Sequence, residues 1–288
     1  MVTKSLQRKL KRKVIFWIVV TLIISLLIAF LYFNRFSNRT TNIYLLDGLQ
    51  IPECSKLAKD HEIRKFGYYS ICYRENYEQA EWSAYCLTDK QLEKRSNRSD
   101  DFRPDKEIST GSAALADYKG SRFDRGHLTP AADMAFNDEA MSESFFMSNM
   151  SPQTPNLNRG AWKYLETEVR KWAKTYGKVY VISGPVLDKP YNEYNTIGTN
   201  KVVVPECYYK VILVPLYTDD YDRQTPEDAN NVAAVGFILP NFNIEGPFWN
   251  YITTIDEIEN RTGLNFFSKL DDVVEDSIES TYNINLWR

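Results

Sequence analysis

The sequence predicts an α+β protein with a mixed, largely antiparallel sheet core, preceded by a single N-terminal transmembrane helix. Three observations carry that expectation. Strand-like and helix-like segments follow one another irregularly, without the strand–helix alternation of a parallel sheet. No GxGxxG run follows a strand, which removes the dinucleotide-binding sheet from consideration. The chain also begins with a basic head followed by twenty uncharged residues. Its 43% hydrophobic and 25% charged content over 288 residues supplies material for a sizeable core and excludes a disordered chain.

Residues 1–13 form the head, with Lys4, Arg8, Lys9, Lys11, Arg12 and Lys13 and no acid. Residues 14–33, from Val14 to Phe33, carry no charge. As a helix they would extend roughly 30 Å, the thickness of a bilayer's hydrocarbon core. Trp17 and Tyr32 stand near the two ends, where aromatic rings suit membrane interfaces. The bulky run Phe30-Leu31-Tyr32-Phe33 replaces the small residues of a cleavage site, so an uncleaved signal anchor is expected. The basic head then lies in the cytoplasm and the body outside it, on the periplasmic or extracellular side, with a mitochondrial inner membrane as the alternative. Residues 34–42 read as a polar tether, and 43–288 as one catalytic-sized domain.

Within that domain, Gly67–Arg74 and Glu81–Thr88 read as neighbouring strands, rich in aromatic and small apolar residues. Lys90–Asp105 is a polar surface excursion. Trp162, Leu165, Val169 and Trp172 recur at helical spacing, so Asn156–Tyr176 reads as a helix stopped by Gly177. Strands are expected at Val179–Ser183, Lys201–Val204, Tyr208–Leu216 and Val232–Leu239. Thr254-Ile-Asp-Glu257 offers a capping box for a helix ending at Gly263. The four cysteines, Cys54, Cys72, Cys86 and Cys207, fall in the exported body, where disulfides persist, but spacing does not reveal which of them pair.

Charge narrows the partners. Of 35 basic residues, eight precede Tyr44; the remaining 27 stand against all 38 acids, a formal −11 for the body. Long-range attraction of a polyanion is therefore excluded, and any nucleic acid must be held locally, by a metal or by a few arginines. With His61 and His127 as the two histidines, a three-histidine zinc site is impossible.

Chemistry concentrates between Arg122 and Glu166. Asp124-Arg125-Gly126-His127 sets an acid and a guanidinium beside an imidazole suited to general-base work near neutral pH. Arg125 has the fork geometry that grips a phosphate. Asn158, in the first turn of the expected helix, reads either as a helix cap or as a neutral oxygen ligand for a hard cation. Glu166, eight residues on and rotated by roughly 80°, reads either as a solvated glutamate or as a partner of that cation's water shell. Arg159 reads as a plain surface residue, and His61 as a surface or packing residue.

Taken in order, Arg122-Phe-Asp-Arg-Gly-His127, Phe146-Met-Ser-Asn149-Met-Ser-Pro-Gln153 and Leu157-Asn-Arg-Gly-Ala-Trp162 with Leu165-Glu166 resemble the DNA/RNA non-specific endonucleases. The similarity continues through Ser183-Gly-Pro185, Lys201–Pro205, Tyr209-Lys-Val211 and Ile255–Glu259. The resemblance implies a ββα-metal nuclease motif, with DNA and RNA as substrates and Mg²⁺ as cofactor, replaceable by Mn²⁺. It implies His127 as the base that activates water and Asn158 as the protein ligand of the metal. Asn149 and Glu166 would steady the site and the metal's water shell, Arg125 would meet the scissile phosphate, and Asp124 would support the loop. Products with 5′-phosphate ends and a homodimer are implied as well. A further phosphate-binding arginine is expected upstream, at Arg74, Arg95 or Arg98. Two other classes fit parts of the pattern: a metal-dependent phosphodiesterase for small nucleotides, and a surface protein that binds nucleic acid without cutting it.

Overall fold

The computed structural model describes residues 13, 17, 21, 25, 51–55, 59–216 and 231–288. The chain divides into two units, residues 1–45 and 46–288. The transmembrane span expected at 14–33 lies almost entirely outside the described residues. Among those described, no helix is long and apolar enough to cross a membrane.

In the second unit the chain first forms β1 (His61–Lys65), β2 (Tyr69–Arg74) and β3 (Gln79–Thr88). A long excursion carries the short helix α1 (Leu115–Tyr118), strand β4 (Asp124–His127), helix α2 (Asp138–Glu143) and strand β5 (Met150–Gln153). Helix α3 (Trp162–Tyr176) leads into β6 (Lys178–Pro185). Short strands β7 (Thr196–Ile197) and β8 (Val202–Val203) precede the long β9 (Cys207–Pro215) and β10 (Val232–Pro240). Strand β11 (Ile252–Thr253) and helices α4 (Ile255–Thr262) and α5 (Asp272–Ser280) complete the unit.

Seven strands form one sheet in the order β1-β2-β3-β6-β9-β10-β11, and every neighbouring pair runs antiparallel. The expected mixture of strand directions is absent from this sheet, because hairpins and antiparallel returns link its strands. Alternation along β9 shows how the layers arise. Tyr208, Ile212 and Val214 enter one core with Trp162, Leu165, Val169 and Trp172 of α3. Tyr209, Val211 and Leu213 enter a second core with Ile255 and Ile258 of α4, against which Val274 and Ile278 of α5 pack. The sheet thus lies between α3 on one face and α4 with α5 on the other.

One half of the expected capping box is present: Thr254 accepts from the Glu257 N–H at 3.3 Å, and Gly263 ends α4 at φ 69°. Of the four cysteines, Cys54 and Cys72 form a disulfide across 18 residues, tying the segment before β1 to β2. The expected helix over Asn156–Tyr176 is less regular than its apolar spacing suggests. Residues Leu157–Ala161 form a wide π-type turn, with Gly160 outside helical geometry at φ −107° and ψ −113°. Such turns interrupt the hydrogen-bond ladder and collect at functional sites.

Candidate active site

Strands β4 and β5 form their own two-stranded ribbon, with Asp124 opposite Gln153, Gly126 opposite Ser151 and His127 opposite Met150. The π-type turn and α3 follow, so the ribbon and helix make a ββα unit. Gly126 is required by close approach: a Cβ there would stand 2.3 Å from the Gln153 side chain. Groups at the end of the main sheet fix the ribbon. Tyr208 donates to the Pro152 carbonyl at 2.9 Å, and Asn241 Nδ2 reaches the same oxygen at 3.0 Å.

Asn149 is wholly buried and its amide is saturated. Its Oδ1 accepts from the Thr129 N–H at 2.9 Å, while Nδ2 donates to the Thr129 and Ser144 carbonyls, each at 2.9 Å. The side chain therefore braces the backbone just beyond His127.

The His127 ring lies in an aromatic pocket, edge-on to Phe145 at 4.9 Å and 5.8 Å from Phe102. Arg125 stacks over Phe102 at 4.2 Å, and Arg98 stacks over Phe145 at 4.7 Å, so two guanidiniums flank the imidazole. Burial pushes its pKa down to about 3, and the charges of Arg98 and Arg125 add to that, against a hydrogen bond with the Arg125 backbone. The ring is thus held neutral. Its Nε2 is buried without a hydrogen-bond partner, as is Arg125 Nε.

Asn158 is not a helix cap. Its backbone N–H donates to the Thr154 carbonyl at 2.9 Å, and the Thr154 hydroxyl receives the Leu157 N–H at 3.3 Å. The Asn158 side chain instead turns to β4, where Nδ2 donates to Asp124 Oδ2 at 2.9 Å. An ionised carboxylate can only accept, so this bond fixes which end of the amide faces Asp124 and leaves Oδ1 turned from it. Arg159 is no plain surface residue. It grips Asp124 through two bonds, Nε to Oδ2 at 2.8 Å and Nη2 to Oδ1 at 2.7 Å. Burial alone would raise the Asp124 pKa, but the bonds from Arg159 and Asn158 hold it below the usual carboxylate range. Among the described residues no hydrogen bond joins Asn158 to His127; the β4–β5 ribbon is what relates them.

Glu166 lies one turn past Trp162 on α3 and is partly buried. Lys210 of β9 is fully buried; its Nζ donates to Ser183 Oγ at 2.5 Å and stands 4.3 Å above the Trp162 ring. Burial pushes Glu166 up and Lys210 down, and each opposes the other's shift through its charge. Buried Asp133, bonded to Arg170 at 2.7 Å and to Tyr85 at 2.6 Å, extends this charged group along α3.

A family model for DNA/RNA non-specific endonucleases matches residues 53–273. The chain belongs to that family. Nuclease C1 of Cunninghamella echinulata is 37% identical over 217 residues, covering 70% of this chain and 81% of that protein. A nuclease of a Nostoc species is 31% identical, covering 78% and 80%. Bovine mitochondrial endonuclease G is 33% identical, covering 69% of this chain and 66% of the relative. Among solved structures, a crystal structure of the EndoG/EndoGI complex superposes with a TM-score of 0.67 at 28% identity, covering 80% of this chain and 92% of that one.

Non-specific endonucleases are metal-dependent, and the residues of this one suit a hard cation that keeps most of its water. The oxygen offered is Asn158 Oδ1, with the Asp124 carboxylate beside it. The two clusters of three candidate metal-binding groups among the described residues both lie elsewhere. One or two protein oxygens are what Mg²⁺ commonly takes. Orphaned polar atoms also gather on the endonuclease's ribbon: Arg125 Nε, His127 Nε2 and both amide atoms of Gln153 are buried without partners. Native interiors leave few such groups, and a polar ligand or water shell is what they ordinarily meet.

The three upstream arginines separate once folded. Arg74 is committed to Asp60 and Glu81, each at 3.1 Å, and Arg95 pairs with Glu93 at 2.7 Å. Arg98 is also paired, to Asp100 at 2.7 Å, but it alone of the three stacks on a ring of the His127 pocket. Sequence reading placed Lys210 in the Tyr209-Lys-Val211 similarity but gave it no role, although a lysine inside the apolar run Tyr208–Val214 was the available signal. Phe102 and Phe145 carried none, since a ring bordering a site looks like any core aromatic.

Proposed function

We propose that this endonuclease hydrolyses phosphodiester bonds of DNA and RNA, with Mg²⁺ held through Asn158 and water activated by His127. The observation that carries the reading is an imidazole whose Nε2 is buried and unpartnered, with Arg125 and Arg98 stacked on the two rings beside it. A base must be unprotonated to act, and burial with the two guanidinium charges disfavours the protonated ring. Nε2 takes a proton from water as the water oxygen bonds to phosphorus. The bond from phosphorus to the 3′ oxygen then breaks and that oxygen takes a proton from solvent water, leaving a 5′-phosphate and a 3′-hydroxyl, while His127 returns its proton to solvent. Arg125 and Arg98 face the phosphate oxygens and localise a polyanion that the acidic body would otherwise repel. When bound, Mg²⁺ supplies positive charge to the phosphate as negative charge builds there. Asp124, gripped by Arg159, orients the Asn158 amide. Asn149 holds the backbone behind His127, and Glu166 with Lys210 anchors the helix that carries the metal ligand.

The reading includes a membrane anchor at residues 14–33 with the nuclease domain (43–288) outside the cytoplasm, in which case the Cys54–Cys72 disulfide lies where such bonds persist. Carbonate-resistant membrane association of the full chain, lost on deleting residues 1–33, is the expected result for the anchor.

Plasmid and RNA cleavage by the full chain tests the activity. Mg²⁺ is expected to support cutting of both, and EDTA to stop it. His127→Ala is expected to lower kcat by about 10²–10⁴-fold with an unchanged circular dichroism spectrum. Intact substrates with folded wild-type protein and metal would refute the reading, and wild-type turnover in His127→Ala would remove His127 as the base.

A further inference from the structure

Away from the ββα unit, on the opposite face of the sheet, α4 and α5 turn acidic groups toward each other. Asp256 and Glu259 stand three residues apart on α4 and so share a side of it; Glu275 and Glu279 do the same at a spacing of four on α5. One carboxylate oxygen from each of Asp256, Glu259 and Glu279 lies within 4.8 Å of the other two. Among the described residues no lysine or arginine forms an ion pair with any of the three.

Acidic groups on a surface are commonplace, but Glu279 is not on the surface. It is 5% exposed, and its Oε1 is buried with no hydrogen-bond partner. A buried carboxylate without a partner is costly, and proteins seldom leave one so unless an ion or water completes it. Burial, reinforced by Glu259, Glu275, Asp256 and Asp276, pushes its pKa up to about 9. Glu259 is fixed in place, since its Oε1 accepts the Phe266 N–H at 2.7 Å. The two helices thus pack together around three carboxyl groups that no lysine or arginine among the described residues pairs with.

We propose that Asp256, Glu259 and Glu279 form a structural calcium-class site that clamps α5 to α4. All-oxygen, carboxylate-rich donors select a hard cation rather than zinc. The number of carboxylates favours calcium, which takes about six to eight oxygens, over magnesium, which keeps several waters and is usually held by one or two carboxylates. The site shares no residue with the catalytic region, and its role is to hold the C-terminal helix.

The test is the melting temperature of the chelator-stripped full chain carrying Asn158→Ala, so that no response arises from the catalytic cation. Calcium chloride about 100-fold above its Kd is expected to raise Tm by about 5 °C or more. Glu279→Gln is expected to fold and to lose that rise. Asp256→Asn, a change at an exposed position, is expected to shift the calcium midpoint at least about tenfold upward, and it decides the matter if Glu279→Gln fails to fold. No calcium-dependent rise would overturn the proposal. So would a full rise retained in Glu279→Gln or an unshifted midpoint in Asp256→Asn. A magnesium response equal to that of calcium would overturn the assignment of ion class.

Discussion

His127 and Asn158 are each set by neighbours that fix one state of a versatile side chain. For His127 the fixed state is neutrality, imposed by burial and by Arg98 and Arg125. The sign of the consequence follows from linkage. An unfolded histidine titrates near 6.5, whereas the folded ring holds out to about 3. Stability from this group is therefore full above about pH 6.5 and is lost as pH falls toward about 3, because the unfolded chain binds a proton the native ring refuses. In the metal-free protein, the His127 ring resonances are expected to stay put while pH drops from about 7.5 to about 5. A midpoint near the ordinary histidine value would contradict the pocket. For Asn158 the fixed state is orientation, imposed through Asp124 and Arg159. Arg159→Ala is expected to weaken Mg²⁺ binding by about 10–100-fold, as loss of an outer partner of a ligand does. Calorimetry on an inactive His127→Ala background measures it, and unchanged affinity would make Arg159 ornamental. The DRGH and LNRGAW motifs picked out His127 and Asn158 as the candidate base and metal ligand. The bond from Arg159 to Asp124 was not, because it spans 35 residues of sequence.

Among the elements, α3 links the site to the core. Its apolar stripe, Trp162, Leu165, Val169 and Trp172, was plain in the sequence and is buried as expected. The π-type turn before it was hidden, since nothing in local propensity distinguishes it from a regular first turn. Gly160 alone hinted at the interruption. The charged group under α3 was hidden for a different reason: Lys210 sits within an apolar run, and Glu166, whose charge acts on it, lies 44 residues earlier. Lys210→Met fills similar volume but leaves Glu166 and Asp133 without that cation. Breaking such a buried arrangement is expected to cost about 3 kcal/mol in denaturant unfolding. Stability within experimental error of wild type would mean that the lysine contributes nothing.

For the molecule as a whole, strand order and layering were only partly readable. Six strands, the short β8 among them, were placed by their apolar runs, but β1, β4, β5, β7 and β11 were missed. Asp124–His127 and Met150–Gln153 look like loop sequence, because their pairing rests on tertiary bonds from Tyr208 and Asn241 and not on β propensity. Disulfide connectivity was equally beyond the spacing of four cysteines. The Cys54–Cys72 bond closes a loop of 18 residues, so its reduction is expected to cost about 3 kcal/mol, lowering the Tm of the full chain. An unchanged Tm after verified reduction would contradict that. The central claim is that one divalent cation held through Asn158 stands against His127. With two histidines in the chain, Mn²⁺ relaxation of their ring resonances addresses it directly. Substoichiometric Mn²⁺ is expected to broaden His127 while His61 stays sharp, and Asn158→Ala is expected to abolish the effect. If His127 stays sharp in the wild type, or broadens equally in Asn158→Ala, the two residues do not share a cation.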